Sequence, residues 1–282
     1  MSLVFGVLGA LSTVGAETFI NTASIFELWP SARVAGMGGA FIALANDEAA
    51  IYYNPAGLAF HSHVSFFSLF NRPFDAFSHG VLSFVYGSLG AQLFILDSDP
   101  LEERDLYGNI IGTFRYTETG LIFSFGFTYA TNIALGLQWK IYLLALPTQA
   151  FGCAWSPSVL LVGEKYRVGI VWRNLVTQDI CFRDGHVEPW NKDIVMGFSW
   201  QEKDSIVCLD FTENLITRGD IHCLRIGVES YRFKPFVFRV GTNREGTTFG
   251  FSLDWHGIHI DFAYLVHFNL PPTYVLDLSY RW

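Results

Sequence analysis

From residue 120 to the C-terminus, large apolar side chains recur at every second position. Leu121, Phe123, Phe125, Phe127 and Tyr129 alternate with Ile122, Ser124, Gly126 and Thr128; Ile133, Leu135, Leu137, Trp139 and Ile141 alternate with Ala134, Gly136, Gln138 and Lys140. The same beat runs through residues 166–172, 194–200, 207–211, 222–228, 236–240, 249–255 and 258–264. Successive side chains of a strand point to opposite faces. Each run therefore has an apolar face, often ending in Trp or Tyr, and a face of Gly, Ser, Thr and charge. The last run is the clearest: Tyr274, Leu276, Leu278, Tyr280 and Trp282 on one side, Thr273, Val275, Asp277, Ser279 and Arg281 on the other. Rings at both ends with aliphatic residues between match a strand crossing headgroups, hydrocarbon and headgroups. The competing expectation is a set of half-buried strands in a soluble sandwich, whose inward faces seldom end in rings this often.

Composition favours the membrane. The 282 residues are 51% hydrophobic and 17% aromatic, with only 16% charged, against about 25% charged in an average globular chain. No internal stretch holds the roughly 18 apolar residues of a spanning helix, so the strands must carry the grease. Runs of roughly 9–11 residues suit tilted spanning strands. The expectation is an all-β, transmembrane, antiparallel up-and-down β-barrel. At about 16 residues per strand and connection, residues 63–282 make about 14 strands, with about 12 as the fallback because alternation is blurred at 64–70, 81–86 and 89–96. Residues 97–109 and 177–192 read as long polar loops. The net charge of -8, without a Lys/Arg cluster, excludes a nucleic-acid partner.

The N-terminal part differs. Residues 1–16 form an apolar run ending Val14-Gly15-Ala16, a secretory signal in outline, although no Lys or Arg precedes it; a buried strand is the alternative. Residues 17–62 are rich in Gly and Ala and lack the alternation. A turn or two of helix is expected over 40–45, a second short helix capped by Asp47 and running to Ile51, and a break at Asn54-Pro55. This stretch reads as a partly helical hatch. About 14 strands enclose a lumen that must be a channel or be filled, and a Gly-rich segment can approach the wall closely. Its candidate residues are Gly36, Gly38, Gly39, Asp47, Asn54, Pro55, Ala56 and Gly57. The Gly36-x-Gly38-Gly39 cluster follows no strand and carries no Lys-Ser/Thr, so it is no nucleotide loop.

Inward positions of the C-terminal half carry Asp210, Arg225, Glu229, Arg239, Asp254, His259, Asp261, Asp277 and Arg281, charges of both signs able to pair across strands or to line a polar path. Cys208 and Cys223 fall on consecutive strands, open to a cross-strand disulfide or to free thiols; no cysteine spacing forms a metal or redox motif. No nucleophile, base and orienting group gather on one strand or loop, so neither an enzyme nor a cofactor is expected. Pro147, Pro157 and Pro235 are candidate points where the wall ladder breaks.

Residues 32–41, Asn54-Pro55-Ala56-Gly57-Leu58, Val171-Trp172-Arg173-Asn174-Leu175, Asp261-Phe262-Ala263-Tyr264 and the last strand together resemble the FadL-like outer-membrane proteins, nearest the branch of the PorV/PorQ and UPF0164 groups. The resemblance spans nearly the whole mature chain. It implies a place in the bacterial outer membrane, with Asn54-Pro55-Ala56 inside the barrel and the terminal strand read by the barrel-assembly machinery. It also implies passive movement of long-chain fatty acids or other hydrophobic small molecules. The PorV-like alternative is a partner or anchor for a secreted protein. The chain is shorter than typical FadL transporters, which implies reduced external loops.

Overall fold

The computed structural model describes residues 23–73, 77–146, 148–215 and 221–282. The expected signal (1–16), the start of the expected hatch (17–22) and Pro147 lie outside them. The first half of the chain forms β1 (Val64–Asn71), β2 (Phe77–Tyr86), β3 (Leu89–Ser98), β4 (Leu101–Arg104), β5 (Ile110–Phe114), β6 (Thr117–Ala130), β7 (Ile133–Leu146) and β8 (Ala150–Val162). The second forms β9 (Tyr166–Arg173), β10 (Val176–Phe182), β11 (Val187–Glu188), β12 (Asp193–Glu202), β13 (Ser205–Asn214), β14 (Ile221–Phe233), β15 (Phe236–Thr242), β16 (Gly246–Trp255), β17 (Ile258–His267) and β18 (Thr273–Arg281).

Neighbouring wall strands pair antiparallel, β1 pairs with β18, and β9 pairs with both β8 and β12, so the sheet closes on itself. Fourteen strands make the wall; β4 and β5 form a separate hairpin, and β10 and β11 extend from the edge of β8. Closure removes the free edges that an open sheet would present. Short turns such as Gly87-Ser88, Lys203-Asp204 and His256-Gly257 close one end, where β18 finishes, and the longer connections lie at the other.

The alternation sets the phase throughout. Phe123, Phe125, Phe127, Phe198, Trp200, Phe249, Tyr274, Leu276, Leu278 and Tyr280 are exposed on the outer face, while Ser124, Gln138, Ser199, Asp277 and Ser279 are buried inside. Rings stack along the outer wall, as Trp139 does on Trp155 with centroids 5.2 Å apart. Such a belt suits hydrocarbon. The blurred early runs have a physical cause: there the inward face is apolar too. Phe67, Leu69, Val81, Val85, Phe94 and Leu96 are buried against the N-terminal segment.

Several expectations need correction. Residues 97–109 are no open loop, since β4 and β5 pair as a hairpin around the Asp105 turn. Residues 177–192 include β10 and β11, with β10 continuing the β8 ladder. Over 40–45 the chain makes a single turn, Leu44 and Ala45 N–H both donating to the Phe41 carbonyl at 3.0 Å, while the first helix, α1, spans Ala32–Gly36, where Ser31 accepts from Val34 N–H at its start. The second, α2, spans Ala50–Tyr53; Asp47 accepts from Ala49 N–H at 2.9 Å without being its cap. Cys208 stands opposite Gly227 and Cys223 opposite Thr212, so the two are not cross-strand neighbours, and all four cysteines are free.

Candidate functional site

The candidate site is the lumen and the segment inside it. From Ala23 to Leu58 the chain is almost wholly buried, crossing the ring and touching strands around its circumference. What lets two backbones meet is a set of wall glycines. Gly126 stands opposite Gly136, Gly197 opposite Gly169, and Gly227 opposite Gly241. A Cβ on Gly136 would lie 2.1 Å from Ala56 N, and one on Gly241 would lie 2.1 Å from Gly38 N, so no side chain fits at either point. Gly38 (φ 64°) and Gly39 (φ 86°) turn the chain after α1 in a conformation that L side chains rarely adopt. Gly36 lies against Gly250, and Gly57 lies under Ala45.

Polar contacts fasten the segment between the glycines. Asn54 accepts from Ala56 N–H at 3.1 Å and donates to the Ile42 carbonyl at 2.8 Å, starting the 3-10 turn Pro55–Phe60. Ala56 N–H also reaches Ser158 Oγ at 3.1 Å. Asp277 accepts from Ala32 N–H at 2.6 Å, and Asp210 accepts from Phe41 and Ile42 N–H at 2.7 and 2.9 Å. Gln138 donates to the carbonyls of Ile51 and Tyr52 at 2.5 and 3.0 Å.

One ion network joins segment and wall. Arg33 meets Glu229 through Nε at 2.9 Å and Nη2 at 2.7 Å, and Asp47 through Nη1 at 2.6 Å. Arg239 bonds the same Glu229 and reaches Asp261 at 2.7 Å, with Ser252 between them. A fork-shaped guanidinium suits such two-toothed pairing. Separately, Arg281 holds Glu48 through two nitrogens at 2.8 and 2.9 Å. Burial alone would raise the Glu48 carboxyl, but the hydrogen bonds and charge of Arg281 outweigh it and bring the pKa to about 2. Burial lowers the His61 imidazole, against the raising effect of its Gly57 carbonyl contact.

Of the expected lining residues, Glu229, Arg239 and Asp261 meet in the network, Asp277 and Arg281 bind the segment directly, and Arg225 bonds Thr212 at 2.6 Å. Asp254 and His259 stand apart at the short-turn end, 3.6 Å from each other, with Asp254 exposed. Arg33 and Glu48 escaped the sequence reading, although a charge isolated among Gly and Ala was a visible signal. Lys140, Arg173 and Glu118 also line the lumen. Glu118 accepts from Ile25 N–H at 2.9 Å. Lys140 lies 5.5 Å from the Phe26 ring and 5.0 Å from that of Tyr52, and Arg173 lies 5.9 Å from Tyr52; neither makes a salt bridge among the described residues.

Among the described residues the wall changes partners at Asn174. β9 and β10 are two parts of one bent strand, broken at Asn174 (φ 51°), and both pair with β8, but only β9 pairs with β12. Pro157 of β8 sits where the ladder passes from β9 to β10, and Ser156 Oγ patches the break by accepting from Asn174 N–H at 2.9 Å. Trp190, after β11, packs inward on Phe26 and donates to the Gln178 carbonyl at 2.9 Å. Pro235 lies in a short turn and breaks no ladder.

The barrel fold has solved counterparts. The Pseudomonas putida toluene transporter TodX superposes with a TM-score of 0.60 at 12% identity, over 88% of this chain and 96% of that one. The fold is FadL-like. A Pseudomonas aeruginosa FadL homologue matches this FadL-like barrel with a TM-score of 0.55 at 11% identity, over 88% and 97% of the two chains. A deletion mutant of the TodX monoaromatic hydrocarbon channel gives 0.55 at 12% identity, over 89% and 98%. No protein-family model matches the chain, and no curated protein does either.

Proposed function

We propose that the protein is a passive channel of the bacterial outer membrane for hydrophobic small molecules, long-chain fatty acids among them. In this reading residues 17–62 are the hatch, 63–282 the barrel, and Tyr274, Leu276, Leu278, Tyr280 and Trp282 the assembly signal. The carrying observation is the inner segment: a FadL-like barrel of this girth is filled by a chain held through glycine contacts and a few ion pairs. Those fastenings are separable without breaking the wall. The seam at Pro157 and Asn174 supports a sideways route between lumen and hydrocarbon for a solute that water would not carry. Lys140 and Arg173 have Asp193 and Glu27 as counter-charges beyond salt-bridge distance, and the two cations side by side favour an occupant with an acidic head over a plain hydrocarbon.

Uptake into proteoliposomes tests this. Labelled fatty acid should enter faster than into empty vesicles, and Lys140→Met should slow the acid while sparing toluene. Uptake equal to that of empty vesicles removes the channel reading. Equal slowing of both solutes removes the acidic-head specificity alone.

The PorV-like alternative, a partner or anchor in protein secretion, rests on the β4–β5 hairpin. Its turn is held by Asp105, which accepts from Tyr107 and Asn109 N–H at 2.8 and 2.9 Å, and it presents Leu106 and Tyr107 fully to solvent. A rigid apolar tip at the long-loop end is a reasonable anchor for another protein. Co-purification of a secreted protein that is lost on Leu106→Asp would favour this reading.

A further inference from the structure

The approach to β1 carries two imidazoles for which the channel reading has no use. His61 ends the 3-10 turn in extended conformation (φ -79°, ψ 132°), and His63 follows two residues on, so the extended chain sends both rings to one side. Their centroids are 5.1 Å apart and their planes tilt by 49°. Nδ1 of His61 lies 3.3 Å from the Gly57 carbonyl oxygen, and donating to it leaves the Nε2 lone pair free. Nε2 of His61 and Nε2 of His63 are both buried without a hydrogen-bond partner, and His61 as a whole is only 9% exposed. Orphaned nitrogens on two neighbouring rings call for a partner, because buried polar atoms are normally satisfied.

A metal ion would satisfy both. Bound through Nε2 at about 2.0–2.1 Å, an ion sits about 3.2 Å from each ring centroid, and ligand angles of about 90–110° then put the centroids about 4.5–5.3 Å apart. The observed separation lies in that interval. We propose that His61 and His63 chelate a divalent transition metal of the zinc type through their Nε2 atoms. Imidazole suits such ions and suits calcium or magnesium poorly. Among the described residues no group of three His, Cys, Asp or Glu could hold a metal, so the two imidazoles are the side-chain ligands of this site. The ion ties the end of the inner segment to the strand that follows.

The test is Zn²⁺ titration by calorimetry on protein in detergent, with no polyhistidine tag. One ion per chain is expected, with His61→Gln and His63→Gln each weakening binding by at least about tenfold, the least that loss of a supporting partner costs a metal site. His186→Gln, at an exposed hairpin, should change nothing. Cu²⁺ should show two coordinating nitrogens by electron paramagnetic resonance in the parent and one in either variant. Absence of saturable binding at millimolar Zn²⁺, or undiminished binding in the double variant, overturns the proposal. Heat-modifiable migration checks that each variant remains a barrel; His63→Gln, at the less buried position, decides alone if His61→Gln does not fold.

Discussion

Arg33 is the side chain on which the inner fastening turns, since it alone joins the segment's Asp47 to the wall's Glu229. Removing Arg33 leaves the buried Asp47 carboxylate without its ion-pair partner and leaves Glu229 with Arg239 alone. Arg33→Met should therefore destabilise the protein by about 3–5 kcal/mol in a denaturant titration, and Arg33→Lys should recover only part, because an ammonium cannot pair through two nitrogens. Glu48 gives a pH signature. Its folded pKa of about 2 is below the ordinary 4.5, so its contribution to stability is complete above 4.5 and is lost as pH falls toward 2. Glu48→Gln should flatten that acid limb in unfolding curves recorded between those two values, while the parent loses stability across it.

At the scale of the strand, the two faces of β18 predict opposite outcomes. Leu278 is on the outer face and Asp277 is buried, accepting from Ala32 N–H. Leu278→Arg should cost about 2–4 kcal/mol if the position meets the bilayer midplane. Asp277→Asn should be mild, because an amide oxygen can still accept from Ala32, whereas Asp277→Leu orphans that N–H. Folding into vesicles, followed by heat-modifiable migration, reads all three. Equal harm from Leu278→Arg and Asp277→Asn would contradict the phase of the strand. The β9–β10 bend belongs to this scale as well: one strand serves two neighbours because Asn174 turns it away from β12.

For the whole molecule, the relation of ring to filling is decisive. Gly136 and Gly241 face the inner segment at distances that exclude a Cβ, so Gly136→Val or Gly241→Val must displace the segment or distort the wall. The expected outcome in planar bilayers is a raised conductance relative to the parent, with a pair substituted on the outer face, Leu276→Val and Leu278→Val, unchanged. A closed parent-like trace from both glycine variants would show that the lumen is not sealed by this segment.

The ring itself was legible in the chain. Period-two alternation with terminal aromatics marks inner and outer faces without any knowledge of neighbours, because strand geometry alone assigns them, and positions such as Phe125, Trp200 and Tyr274 follow it. Asp277 and Glu229 were legible as inward for the same reason. Their partners were not. That Arg33 meets Glu229 across 196 residues, or that Gly241 faces Gly38, depends on how a nonperiodic segment threads the lumen, and nothing in its local pattern encodes a distance. Where both faces of a strand are apolar, as in β1 to β3, periodicity also loses its contrast. Local chemistry decided which side of the wall each residue faces; closure of the ring around its own N-terminal segment decided which residues meet.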